Sequence, residues 1–172
     1  MLDIRESNWN NNSLYVVHNL LSNKDRNVLI KDVDNEIESN PHKDKLSGIQ
    51  TKPYLYKKYK TKSWSNYYNK LEKIIKTIGS LKLKGSWALK INKHSKPFLH
   101  DHSKSQFTSI FYLQNPNKYC GTYLCEDKKD VIVPGYENSI LIFNGKIIHD
   151  AVFPETSVLK KKARYTVITD FN

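Results

Sequence analysis

At 172 residues, 38% hydrophobic and 12% aromatic, the chain is too apolar to stay disordered and long enough to bury one core without disulfide or metal staples. Its 28 Lys and Arg against 17 Asp and Glu leave a formal charge of +11, which invites an anionic partner. Yet only Arg5, Arg26 and Arg164 carry the planar fork that phosphate and base recognition prefers. Lysine, asparagine and isoleucine are all frequent, as AT-rich codon supply makes them, so part of the charge reflects composition. No apolar run approaches the ~18 residues of a membrane helix. The first residues lack the basic start and apolar stretch of a secretory leader, and Cys120 and Cys125 stand alone as ordinary thiols. The expected setting is a reducing cytoplasm.

Leu14 to Val17 is a strand candidate. Ser22 is placed to cap a helix over 23–39, with Val28, Leu29, Val33 and Ile37 as its apolar stripe, and Asn40-Pro41 ends it. Residues 41–62 are polar and turn-rich and read as a loop with at most one short strand. Ser63 is placed to cap a second helix. In it Trp64, Tyr67, Tyr68, Leu71, Ile74, Ile75 and Ile78 recur at three- and four-residue spacing, and Gly79 or Gly85 closes it. After Gly85 the period becomes two, with Trp87, Leu89 and Ile91 on one face of a strand over 87–92. Short β segments follow at 97–102, 107–114, 121–125, 131–133, 139–143, 147–153 and 164–170. Turn signals at Asn115-Pro116, Pro134-Gly135 and Asn144-Gly145 fall between them. This order predicts a mainly β fold with N-terminal helices: a double-stranded β-helix (jelly roll, cupin-like) with helices packed on one sheet. Residues 1–84 form a helical and loop segment packing on a core over 85–172, within one structural domain.

Three of the six histidines stand out by position. His100 and His102 are two apart, so an extended backbone puts both rings on one face. His149 lies in the apolar stretch KIIHDAVFP on a distant strand. Opposite sheets of a jelly roll bring such positions together, and two or three imidazoles converging there suit iron, zinc or copper. A lone strand histidine is more often a satisfied, semi-buried one; the pair with its distant third favours metal.

The stretch WALKINKHSKPFLHDHSKSQFTSIFYLQN resembles the metal-binding core strands of the Fe(II)/2-oxoglutarate-dependent oxygenases. In that superfamily a His-x-Asp/Glu pair ends one strand, and a strand finishing in Tyr-Leu-Asn follows. The C-terminal block is similar too, through Pro134-Gly135, Phe143, His149, Val152, Pro154, Arg164 and Thr166. The resemblance covers about residues 85–172. It is closest to small 2-oxoglutarate/Fe(II) oxygenases of phages and marine bacteria, in which His-x-His precedes a Ser-Gly-x-Tyr-Tyr pattern; here His100 and His102 precede Thr108-Ser109-Ile110-Phe111-Tyr112.

The resemblance implies an oxygenase, and among its reactions a hydroxylase, using Fe(II), 2-oxoglutarate and O2. The primary substrate would be a protein side chain such as prolyl, or a small molecule, and the location the cytoplasm (a host's, for a viral chain). It implies His100, His102 and His149 as metal ligands. His102 then occupies the usual carboxylate station, with Asp101 as the alternative ligand if the strand is bulged. Arg164, the one arginine beyond residue 26, would grip the distal carboxylate of 2-oxoglutarate. Thr166 and Tyr112 would donate hydroxyls to the same carboxylate, and Asn92 would touch the co-substrate.

Two other readings remain at this stage: a non-catalytic basic jelly-roll protein binding nucleic acid or an acidic partner, and a three-histidine cupin-like iron enzyme that does not use 2-oxoglutarate. The stretch from Tyr54 to Lys62 interleaves tyrosines with lysines as single-strand nucleic-acid platforms do, although a solvated loop with packed tyrosines is the simpler account. Lys160 to Lys162 reads as an exposed hairpin tip. His18, His42 and His94 have no partners in sequence and receive no role.

Overall fold

The computed structural model describes residues 3–40, 48–91, 97–152, 159 and 161–172. The chain opens with a hairpin, β1 (Ile4–Trp9) and β2 (Asn12–Val17). Asn10 and Asn11 turn it with φ of 48° and 63°, the left-handed pair that a two-residue hairpin needs and asparagine tolerates. The polar, largely exposed β1 carries no hydrophobic alternation, which is why the sequence shows only its partner.

Helix α1 (Asn23–Ser39) begins at Ser22, whose Oγ accepts from the Asp25 N–H at 3.1 Å, and buries Leu29, Val33 and Ile37. A short strand β3 (Ile49–Gln50) and a single-turn helix α2 (Leu55–Lys58) follow. Helix α3 (Lys62–Ile78) buries Trp64, Tyr67, Leu71, Ile74 and Ile75. Its cap is Thr61 and not the expected Ser63: Thr61 has the extended backbone of a cap, whereas Ser63 lies in the first turn. The Ser63 hydroxyl instead donates to Asp25 at 2.7 Å, tying the starts of the two long helices together.

Strands β4 (Leu83–Ile91), β5 (Phe107–Gln114), β6 (Thr122–Glu126), β7 (Lys129–Val133), β8 (Ser139–Asn144), β9 (Ile148–Ala151) and β10 (Arg164–Phe171) complete the chain. All strand pairs are antiparallel, in a seven-stranded sheet of order β1-β2-β8-β5-β10-β4-β3 and a three-stranded sheet of order β7-β6-β9. His100 pairs with His149 at the free edge of β9, so the smaller sheet gains a one-residue fourth strand. From β4 onward the chain passes back and forth between the sheets, β4, β5, β8 and β10 in the large one and the His100 bridge, the β6–β7 hairpin and β9 in the small one, and this is the jelly roll. The strand expected over 97–102 shrinks to that single bridge because its neighbouring N–H groups bond elsewhere. Phe98 N–H donates to the Asp150 carboxylate (2.7 Å) and His102 N–H to Gly145 O (2.7 Å).

The central strands of the large sheet are buried on both faces. Ala88, Phe111, Ile140, Val167 and Phe171 face the helices and meet Leu29, Trp64, Leu71 and Ile74. Ile110, Tyr112, Leu141, Phe143 and Ile168 face the small sheet and meet Leu124 and Ile147. The tyrosines of the basic stretch partly join the first core. Tyr59 stacks on Trp64 with ring centroids 5.6 Å apart, and Lys58 pairs with the buried Glu36. Among the described residues no helix is long and apolar enough to cross a membrane.

Candidate metal and anion-binding site

The inner face of the large sheet and the small sheet enclose a cavity of about 510 Å³, its open mouth included. Trp87, Leu89, Ile110 and Ile168 form apolar walls. His100, His102 and His149 line the cavity, and so do Arg164, Thr166 and Thr122. The strand period explains the placement. Arg164, Thr166, Ile168 and Asp170 alternate along β10 on its inward face, with Ile91, Leu89, Trp87 and Gly85 opposite them on β4.

Each histidine is held by backbone pairing. His100 and His149 exchange both N–H···O bonds, at 3.1 and 2.8 Å, which sets their rings 4.4 Å apart. His102 lies 5.3 Å from His100 and 4.9 Å from His149, ring centre to ring centre. It is seated by its N–H bond to Gly145 in the β8–β9 turn. Only glycine fits there: a Cβ at residue 145 would fall 2.4 Å from Ser105 O and 2.9 Å from His102 O. One ring nitrogen from each of the three histidines lies within 4.8 Å of the others.

The outer ring nitrogens decide the tautomers. Nδ1 of His100 is 2.8 Å from Phe98 O, and Nδ1 of His149 is 2.9 Å from Ile147 O. A carbonyl only accepts, so both Nδ1 atoms carry the proton and both Nε2 atoms keep their lone pair. His102 Nδ1 faces the Asp170 carboxylate at 2.7 Å instead, and Thr108 donates to the same Oδ1 at 2.8 Å. Burial, reinforced by the two neighbouring imidazoles, pushes His149 down to about 3. Burial, with His102 adding to it, also lowers His100. Near neutrality these rings are uncharged, as a metal ligand must be. Asp101 is exposed and outside the cluster; its carboxylate accepts the Ser103 N–H at 3.0 Å, which holds it below the usual carboxylate range.

Arg164 is 2% exposed, and among the described residues its Nε and Nη1 have no hydrogen-bond partner. Burial lowers its proton affinity, but a guanidinium remains charged. Its Cζ stands 5.4 Å from the centre of the Tyr112 ring, a partial compensation. The Tyr112 hydroxyl bonds to Thr122 Oγ1 at 2.7 Å. A buried cation with open donors in the wall of a cavity is a receptor for an anion. Asn92 lies outside the described residues, as do His42, His94 and Lys160, while His18 sits edge-on to Tyr136, its ring centroid 5.4 Å away.

Asp170, Thr122, Asp150 and Gln50 belong to this site and escaped the sequence reading, and Thr108, which the sequence marks only as part of a motif, bonds to Asp170. Asp170 had one available signal, its in-phase position with Arg164 and Thr166. Its link to a histidine 68 residues away had none.

No protein-family model matches the chain, and no curated protein matches it in sequence. Solved structures do match. HygX from Streptomyces hygroscopicus, with nickel and 2-oxoglutarate bound, is 10% identical with a TM-score of 0.68 over 92% of this chain and 82% of that one. AviO1 from Streptomyces viridochromogenes Tue57 is 8% identical, TM-score 0.68, over 92% and 88%. The 2-oxoglutarate complex of the viral collagen prolyl hydroxylase vCPH from Paramecium Bursaria Chlorella virus-1 is 11% identical, TM-score 0.64, over 92% and 94%. At such identities the likeness is one of fold.

Proposed function

We propose that this chain is an Fe(II)- and 2-oxoglutarate-dependent oxygenase that hydroxylates its substrate. The observation that carries the reading is the pairing, in one cavity, of three converging imidazole nitrogens with a buried arginine whose Nε and Nη1 are unmet among the described residues. Neutral nitrogen donors suit a divalent transition metal, and the open guanidinium suits a carboxylate. The similarity of fold to 2-oxoglutarate-bound structures and the sequence pattern His100-x-His102 with Thr108 to Tyr112, which resembles the small phage and marine-bacterial enzymes, point the same way.

In this reading His100, His102 and His149 hold the iron through Nε2. Arg164 and Thr166 bind the far carboxylate of 2-oxoglutarate and so orient its keto acid end toward the histidines. Trp87, Leu89 and Ile168 keep water from the space between. The bound iron would supply activation of O2 coupled to co-substrate decarboxylation. Overall, 2-oxoglutarate, O2 and a substrate C–H give succinate, CO2 and a C–OH, one oxygen atom going to each organic product. Exposed Phe98 and Leu99, just before His100, offer apolar contact to a substrate entering the mouth. The candidate substrates are a protein side chain such as prolyl, after vCPH, or a small molecule, after HygX, which is also known with hygromycin B bound.

The all-nitrogen donor set also favours a second reading, an iron enzyme of the same fold without 2-oxoglutarate. Anaerobic addition of Fe(II) and then 2-oxoglutarate separates the two. The first reading requires the weak visible metal-to-co-substrate charge-transfer band, and Arg164→Ala should weaken 2-oxoglutarate binding while sparing metal binding. Iron-loaded, folded protein with no such band sinks it. Succinate release stimulated by proline-containing peptides or by small molecules then sorts the substrate class.

A further inference from the structure

Three neutral imidazoles bring no negative charge to a divalent cation, whereas the common arrangement of two histidines and a carboxylate does. In this chain a carboxylate stands directly behind one of the rings. Asp170 Oδ1 is 2.7 Å from Nδ1 of His102, on the side away from the shared cavity nitrogens, and both side chains are largely buried, at 14% and 9% exposure. The carboxylate is anchored as well as close. Its cross-strand neighbour on β5, Thr108, donates its hydroxyl to the same Oδ1 at 2.8 Å. Its neighbour on β4, Gly85, has no side chain to compete for it.

We propose that Asp170 is a positioning residue that, through His102, supplies the negative charge a ligating carboxylate would otherwise bring to the metal. The inference rests on the metal-binding reading above. The Nδ1–H···carboxylate bond fixes the His102 ring with Nε2 toward His100 and His149. It also polarises the imidazole toward imidazolate character, so the ring is a stronger and more anionic donor than a histidine bonded to a backbone carbonyl. Nδ1 of His100 and of His149 is bonded instead to a backbone carbonyl, of Phe98 and of Ile147. The asymmetry falls on the ring two residues after His100, the station where sequence resemblance expects Asp or Glu.

The test uses the full chain and Co(II), followed by its visible ligand-field absorption, in two backgrounds. In the wild-type background Asp170→Asn, nearly isosteric and uncharged, should weaken Co(II) binding by about 10–100-fold and shift the absorption. In a His102→Asp background the carboxylate is supplied directly, so adding Asp170→Asn should leave affinity unchanged or tighten it by removing a second negative charge. Unchanged affinity in the wild-type background, or equal weakening in both, overturns the proposal; equal weakening would mark Asp170 as merely structural. Thr108→Val guards against a His102→Asp variant that fails to fold. It removes the hydroxyl that anchors the carboxylate and lies 3.0 Å from His102 Nδ1, but keeps the carboxylate's charge, and should lose less than Asp170→Asn; the reverse order also overturns the proposal. If wild-type protein binds no Co(II), or His149→Ala binds it equally well, the metal reading itself fails and takes this inference with it.

Discussion

At the residue scale the cavity holds a buried guanidinium with two unmet nitrogens, which is costly without a ligand, and a histidine buried in its neutral form, which is costly only in acid. Leaving buried donors unsatisfied costs about 1–3 kcal/mol each. Arg164→Met should therefore raise the apo-protein's melting midpoint by a few degrees while weakening 2-oxoglutarate binding; calorimetry and ligand titration read the two effects separately. His149 gives a pH dependence of definite sign. It is held near 3 when folded, against about 6.5 in the unfolded chain. Above about pH 6.5 both states are neutral and nothing changes. As pH falls from there toward 3, the unfolded chain takes up a proton that the folded one refuses, and stability drops by about 1 kcal/mol per pH unit. His100, lowered in the same direction, adds to this. Urea midpoints of the metal-free protein at about pH 7 and about pH 5 check it, and His149→Gln should flatten the slope.

At the element scale the site depends on how strand ends are tied more than on strand length. The segment around His100 is a one-residue bridge. It is held in place by Asp150 accepting the Phe98 N–H on one side and Gly145 accepting the His102 N–H on the other. Gly145→Ala should displace residues 102–105, since its methyl would overlap Ser105 O, and should cut metal affinity at least tenfold. The helix-facing core, far from that turn, should keep its far-ultraviolet signature; circular dichroism beside a Co(II) titration reads both. The aromatic and basic stretch from Tyr54 to Lys62 belongs at this scale too. Tyr59 and Lys58 are engaged with Trp64 and Glu36, so part of what reads as a nucleic-acid platform in sequence is helix packing in the fold.

For the whole molecule, the +11 charge acts on approach and says nothing about reaction. If the proposed function holds, its dianionic co-substrate should be drawn toward a lysine-rich surface. Its association rate should fall severalfold as salt rises from about 10 to about 150 mM, where the screening length contracts from ~30 to ~8 Å. Its dissociation from a buried arginine should change little. Stopped-flow binding at the two salt concentrations reports each rate; a dissociation rate that carries most of the change would contradict the buried anchor.

Much of this protein is legible in its sequence because the relevant signals are local. Period-two and period-3.6 patterns mark most strands and both long helices, an HxH spacing puts two rings on one strand face, and a lone arginine stands out among lysines. The fold brings together the three histidines so marked and buries that arginine in the same cavity. What the sequence leaves open is what depends on register between distant strands. The bridge at 149 seats His100, the turn at Gly145 seats His102, and Asp101 is left in solvent. The carboxylate behind His102 comes from the last strand, 68 residues on. Periodicity says which face a residue takes, but only the packed sheets decide which side chain from another strand stands opposite. That choice, by placing Asp170 on one imidazole and carbonyls on the other two, sets the electronic character of the site.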